Sequence, residues 1–156
     1  MEKRKFYLAY GSNLNIRQMF RRCHGARIIG TGAIPDYQLL FKGSKTGAYL
    51  TIEPNPGSSV PVAVWSVTEN DEKRLDRYEG FPDFYYKAEM SVLVTGIRTG
   101  KSKKRDAFVY IMREDSPLGI PSEAYVKTCV EGYMAFGFDT EILRDAITIS
   151  REEETK

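Results

Sequence analysis

The stretch Lys5-Phe-Tyr-Leu-Ala-Tyr-Gly-Ser-Asn-Leu-Asn15 joins two hydrophobic periods and so decides how the chain begins to fold. Residues 5–10 alternate as in a strand, with Phe6, Leu8 and Tyr10 set against Tyr7 and Ala9. From Leu14 the period lengthens. Ile16, Met19, Phe20 and Cys23 share one helical face, while Arg17, Gln18, Arg21 and Arg22 take the other. Gly11-Ser12-Asn13 must carry the sharp turn between them. Glycine permits a close backbone approach, and Ser12 or Asn13 is placed to cap the helix. A turn of this kind leaves N–H groups unpaired beside the positive end of a helix, where an anion or a developing oxyanion is stabilised. Ordinary α/β connections share this anatomy. Neither G-x-G-x-x-G nor G-x-x-x-x-G-K-[ST] is present, so the common phosphate loops do not fit.

Composition narrows the class. At 156 residues the chain has the size of one domain with a real core. A net charge of +2 is too small to imply a nucleic-acid partner. No apolar run reaches the ~18–20 residues of a membrane span, and the basic start Met1–Lys5 lacks the apolar region of a secretory signal. Cys23 and Cys129 each fall on the apolar face of an expected helix. Buried free thiols suit a reducing compartment, so a cytoplasmic protein is expected.

Beyond the first helix, strands are expected at Arg27–Ala33, Tyr37–Lys42, Ala48–Ile52 and Val60–Val67, the last starting at an edge because of Pro61. Gly43–Gly47 reads as a loop and Pro54–Ser59 as a turn cluster. Thr68 to Gly80 has the marks of a helix: a threonine N-cap, an acidic first turn and a C′ glycine. Phe81–Phe84 should bend into a strand at Tyr85–Thr95, with Tyr86, Ala88, Met90, Val92 and Val94 on one face. A basic hairpin loop, Gly96–Asp106, then leads to a strand at Ala107–Met112. Ser116–Pro121 reads as a connector. Ser122 starts a helix with Val126, Cys129, Val130 and Tyr133 as its core stripe and Gly137 as its stop; Asp139 starts a last helix that packs Ile142, Leu143, Ala146 and Ile147. The expected fold is α+β, with a curved or barrel-like mixed sheet of about six to seven strands flanked by about four helices. Residues 1–150 form one domain and 151–156 a solvated tail.

Few residues are set up for chemistry. Glu79 occupies the last turn of its helix, beside the negative end of the dipole and next to Gly80-Phe81, where a carboxylate's pKa should rise toward the range of a general base. An exposed helix end before a C-cap glycine is the plainer reading of the same residues. His24 is the sole histidine, so a Ser–His or Cys–His arrangement has little to draw on, and no His/Cys pair has metal-ligand spacing.

Tyr10-Gly-Ser-Asn-Leu14 after an N-terminal strand, together with Leu75-Asp-Arg-Tyr-Glu79-Gly80 and the tyrosines that follow, resembles the gamma-glutamylcyclotransferase-like family over about Phe6 to Tyr133. The resemblance implies an enzyme that releases 5-oxoproline from a gamma-glutamyl amine or peptide, with no metal or other cofactor. It makes Glu79 the catalytic acid/base. It makes Tyr10, Gly11, Ser12, Asn13 and Leu14 a substrate loop, and Tyr86, Tyr110 and Tyr125 pocket tyrosines. A one-residue shift would exchange Tyr86 for Tyr85. The leaving-group pocket is expected from Gly43–Gly47, Phe81–Phe84 and Asp115–Pro121. Two other readings stand beside this one: a non-catalytic small-molecule binding module on the same scaffold, and nucleic-acid association through Arg17, Arg21, Arg22 and Lys101–Arg105, which would be steeply salt-dependent.

Overall fold

The computed structural model describes residues 3–44 and 47–154. Five strands, β1 (Arg4–Ala9), β2 (Arg27–Ser44), β3 (Gly47–Thr68), β4 (Tyr85–Gly96) and β5 (Ser102–Met112), close into a barrel in the order β1-β3-β2-β4-β5. Four helices accompany them: α1 (Ile16–Arg22), α2 (Glu69–Glu79), α3 (Glu123–Phe136) and α4 (Glu141–Glu154). The sheet is mixed. Every pairing is antiparallel except the β1–β5 seam, which is parallel at Tyr7 and Phe108.

The strand count is five instead of six to seven because two expected breaks are corners within long strands. Pro35 still pairs with Ser59 and Tyr37 with Pro54, so residues 55–58 bulge out opposite Asp36 without ending either strand. Asp36 takes a left-handed φ of 60° and accepts from the Gly57 N–H at 3.0 Å. Pro61 pairs with Ala33 on one side, while β1 ends opposite Ala63, so it stands at the edge position expected of it. The expected basic loop is also shorter than its charge run. Ser102–Arg105 already belong to β5, paired with Val92–Thr95. Of the expected loop Gly43–Gly47, residues 45 and 46 lie outside the described residues. Arg151–Glu154 continue α4 where a tail was expected.

Closure depends on backbones approaching closely. Gly30 pairs with β3 on one edge and β4 on the other, and a Cβ there would lie 2.1 Å from the Thr95 carbonyl oxygen. The first turn needs a similar approach. After β1 the chain makes one 3-10 turn, Ser12–Leu14, and only then does Asn15 start α1, its side chain accepting from the Gln18 N–H at 3.2 Å. Asn15 is thus the helix cap expected at Ser12 or Asn13. Leu14 is fully buried beneath α3, against Gly132.

A Cβ at Gly132 would lie 2.6 Å from the Leu14 carbonyl carbon and 2.8 Å from the Asn15 nitrogen. Alanine is normally the better helix residue by ~1 kcal/mol, yet here the clash is with backbone. Gly132→Ala is expected to destabilise the domain by about 1–3 kcal/mol in denaturant unfolding. A stabilised variant would show that α3 and the turn are not pressed together.

Candidate active site

The turn from β1, the end of α2 and the middle of β5 surround one cavity of about 340 Å³. Its wall includes Tyr7, Tyr10, Gly11, Ser12 and Asn13 from the first stretch. Arg77, Tyr78, Glu79 and Gly80 come from the end of α2, and Tyr49, Phe84, Tyr85, Tyr110 and Tyr125 from elsewhere. The two motifs, nearly seventy residues apart in sequence, therefore share one space.

α2 is fixed at both ends before it presents Glu79. Thr68 and Asp71 form a reciprocal capping box, at 3.1 and 3.0 Å, and Gly80 closes the helix at φ 67°. Leu75 is fully buried. On the neighbouring turns, Lys87 of β4 pairs with Glu72 at 2.8 Å and Asp76 at 2.9 Å. Glu79 follows with no hydrogen-bond partner among the described residues. Burial pushes its pKa up to about 7, against a smaller lowering by the Arg22 guanidinium.

The tyrosines are held by bonds that orient their rings. The Tyr10 hydroxyl donates to the Tyr110 carbonyl oxygen at 2.6 Å, Tyr110 to Asp76 Oδ1 at 2.6 Å, and Tyr85 to the Leu50 carbonyl oxygen at 2.7 Å. Tyr125 accepts from the Leu50 N–H at 3.1 Å. Burial raises the pKa of all four, so they are neutral phenols at physiological pH. Ser12 Oγ and the Tyr78 hydroxyl share a bond at 3.1 Å, and the Arg22 guanidinium lies 3.5 Å above the Tyr78 ring. The 3-10 turn uses its own donors sparingly: Leu14 and Asn15 N–H bond back to Gly11 and Ser12. No such bond is made by the N–H groups of Gly11, Ser12 and Asn13 among the described residues.

Two expected site residues lie elsewhere. Leu14 is core. Tyr86 is on the face of β4 away from the cavity, where its hydroxyl bonds to Glu114 and its ring meets Arg113; Tyr85 takes the place in the wall. Tyr7, Tyr49, Tyr78 and Arg77 were not anticipated. Tyr78 was legible, as it sits beside Glu79 in the same motif. Of the expected leaving-group loops, Phe84 reaches the cavity, while Gly43, Gly47 and Pro117–Ile120 line a second cavity of about 250 Å³. His24 is exposed. Among the described residues no three His, Cys, Asp or Glu side chains gather as metal ligands would, and no helix is long and apolar enough to cross a membrane.

The fold is an α+β barrel with a cavity of about 340 Å³ at the meeting of the two motifs. The chain belongs to the family described as "Gamma-glutamyl cyclotransferase, AIG2-like", whose model matches residues 7–127. Among solved structures it is similar to a gamma-glutamyl cyclotransferase at 25% identity and TM-score 0.76, covering 92% of this chain and 86% of that one. It is equally similar to an uncharacterized human protein, at 26% and 0.76, covering 93% and 87%. A yeast gamma-glutamyl cyclotransferase specific to glutathione shares the fold at 12% identity and TM-score 0.62, covering 96% of each chain. No curated protein sequence matches.

The raised Glu79 pKa has a thermodynamic consequence. The folded state holds this proton more tightly than the unfolded chain, so stability is lost as pH rises from 4.5 through about 7. Glu79→Gln is expected to stabilise the fold at pH 8 by on the order of 1–3 kcal/mol and to leave it near wild type at pH 4. Equal effects at both pH values would mean that the carboxylate is not perturbed.

Proposed function

We infer that the protein is a gamma-glutamyl cyclotransferase in activity as well as family, releasing 5-oxoproline and a free amine or amino acid from a gamma-glutamyl amide. The observation that carries the reading is the shared cavity. A carboxylate with a pKa near 7 and the turn Gly11–Asn13 line the same space, and among the described residues nothing bonds the N–H groups of Gly11, Ser12 and Asn13.

The substrate brings its own nucleophile. Its α-amine is largely ammonium at neutral pH, with a pKa of ~8. A carboxylate at its usual pKa would be a poor match for that proton; one near 7 comes within about one unit. Glu79 takes the proton, and the amine nitrogen attacks the γ-carbonyl carbon to close the five-membered ring. The carbonyl oxygen becomes anionic, facing N–H donors of the Gly11–Asn13 turn, where one donor is worth ~2.7–4 kcal/mol. The C–N bond to the leaving amine then breaks as Glu79 returns that proton to the departing nitrogen; the attacking nitrogen, now part of the ring, gives its second proton to the same carboxylate, which passes it on so that the amine leaves as an ammonium. The tyrosine walls hold the substrate curled, which draws on proximity. Tyr10, Tyr85, Tyr110 and Tyr125 act here as shaped, neutral surfaces. The site lies within a protein we assign to the cytoplasm.

A panel of gamma-glutamyl amines and peptides assayed for 5-oxoproline tests this. Wild type is expected to turn over at least one of them, with kcat/KM falling below pH ~7 as Glu79 is protonated. Glu79→Gln is expected to lose at least ~100-fold; full activity in that variant would refute the role. Arg22→Met removes the cation that lowers the Glu79 pKa, so its acid limb is expected to move to higher pH. An unmoved limb would show that Arg22 does not act on the carboxylate.

A further inference from the structure

Four tyrosines of the cavity wall, Tyr7, Tyr10, Tyr85 and Tyr110, are at least nine-tenths buried. Three of them donate their hydroxyl proton to a protein oxygen. Tyr7 does not. Its hydroxyl oxygen accepts from Asn13 Nδ2 at 2.8 Å, and among the described residues nothing accepts its own proton.

The direction of that bond is fixed by a third residue. Arg22 bonds to the other end of the Asn13 amide, at Oδ1. A guanidinium has donors and no acceptor, so the atom it meets must be the amide oxygen, and the amide NH2 must face Tyr7. Arg22 is itself held by Gln18 Oε1 at 2.8 Å and by the Tyr78 ring. The chain Arg22–Asn13–Tyr7 thus occupies an acceptor site on the phenol and leaves its O–H to point at whatever enters. A buried phenol normally finds a partner for its proton. Here the cavity is where the partner must come from.

We propose that Tyr7 is a catalytic residue, whose hydroxyl hydrogen-bonds the γ-carbonyl oxygen as it becomes anionic, beside the Gly11–Asn13 turn, with Asn13 and Arg22 as positioning residues. The proposal rests on the gamma-glutamyl reading. Tyr7 is well suited to donating without ionising: burial, and next the nearby Glu79 charge, hold its pKa well above the usual phenol value. No proton leaves the phenol, so Glu79 remains the group that carries protons from the attacking to the departing nitrogen. Closure of the barrel supplies the rigidity, because the Tyr7 ring stacks on Phe108 at 5.3 Å across the β1–β5 seam.

The test compares steady-state kinetics of wild type, Tyr7→Phe, Asn13→Asp and the double variant on a substrate found with the panel. Tyr7→Phe keeps the ring and is expected to lower kcat about 100-fold, with KM little changed and the acid limb retained. Asn13→Asp puts a carboxylate, which only accepts, beside the phenol; Tyr7 then donates to it and its proton is withdrawn from the cavity. Its kcat should fall similarly, and the double variant should be no worse than either single one. Loss from a merely disturbed structure would multiply in the double variant, and that outcome overturns the proposal. So does wild-type kcat in Tyr7→Phe, or a change confined to KM. If Tyr7→Phe does not fold, Asn13→Asp decides alone, and wild-type kcat there is equally fatal. A wild type that releases no 5-oxoproline overturns the underlying reading and this proposal together, whereas an active wild type with an unaffected Tyr7→Phe overturns this one alone.

Discussion

A carboxylate at the C-terminal end of a helix, among phenols and without a hydrogen-bond donor, is costly to keep ionised, and much of this domain holds it there. Helix dipole and desolvation both act against the charge. Against that cost, α2 is fixed at both ends and along its buried face. Leu75 is sealed in the core, the capping box fixes the first turn and Gly80 the last. Lys87 gathers the carboxylates of Glu72 and Asp76, while Glu79 has no lysine partner among the described residues. The Arg22 guanidinium acts on Glu79 and lowers its pKa less than burial raises it.

The barrel seam determines what surrounds that carboxylate. In the regular β4–β5 register, Tyr85, Lys87 and Glu89 lie on one face with Met112, Tyr110 and Phe108. Across the seam Tyr7 lies opposite Phe108, and its ring is within 5.7 Å of Tyr110. One face of three strands thereby becomes a phenolic wall. At the other end of β4 the same face is bare, with Leu93 58% exposed. The strand is two-sided where it borders the cavity and one-sided where it does not.

That change along a single strand explains what the sequence could and could not convey. Helix ends were legible because their chemistry is local: Thr68, Gly80, Ser122 and Gly137 each do what their side chain, or lack of one, dictates. Glu79 was legible for the same reason. The alternation in β4 correctly placed Ala88, Met90, Val92 and Val94 toward the core, and Tyr86 shares their face. The cavity, however, is on the opposite face, so periodicity pointed to Tyr86 where the wall uses Tyr85. Tyr7 was missed in the same way, as the minor partner of Phe6, Leu8 and Tyr10. The Pro54–Ser59 cluster reads as a turn because its residues announce a bend. Whether the ladder resumes beyond it depends on a pairing with Asp36 and Pro35 that no local pattern contains. The fold class was in the sequence; the sidedness of the site required the seam.

Most polar atoms of the wall are already bound to one another, and this sharpens what the cavity can accept. Tyr10, Tyr85 and Tyr110 have given their protons to the protein, and Ser12 and Tyr78 share one bond. Beside Arg77 and Tyr49, which also line the cavity, three polar groups left to a ligand are the Glu79 carboxylate, the N–H groups of the Gly11–Asn13 turn and the hydroxyl proton of Tyr7. One of these calls for a positive or proton-bearing nitrogen, the other two for an electron-rich oxygen. Toward Tyr49, Phe84 and Tyr125 the wall is instead rings in edge contact, at 5.2 to 6.3 Å. A ligand satisfying both regions carries an amine and a carbonyl or carboxylate close together and extends an apolar arm away from them. The gamma-glutamyl head group has the first property; the second bears on whatever amine is attached to it.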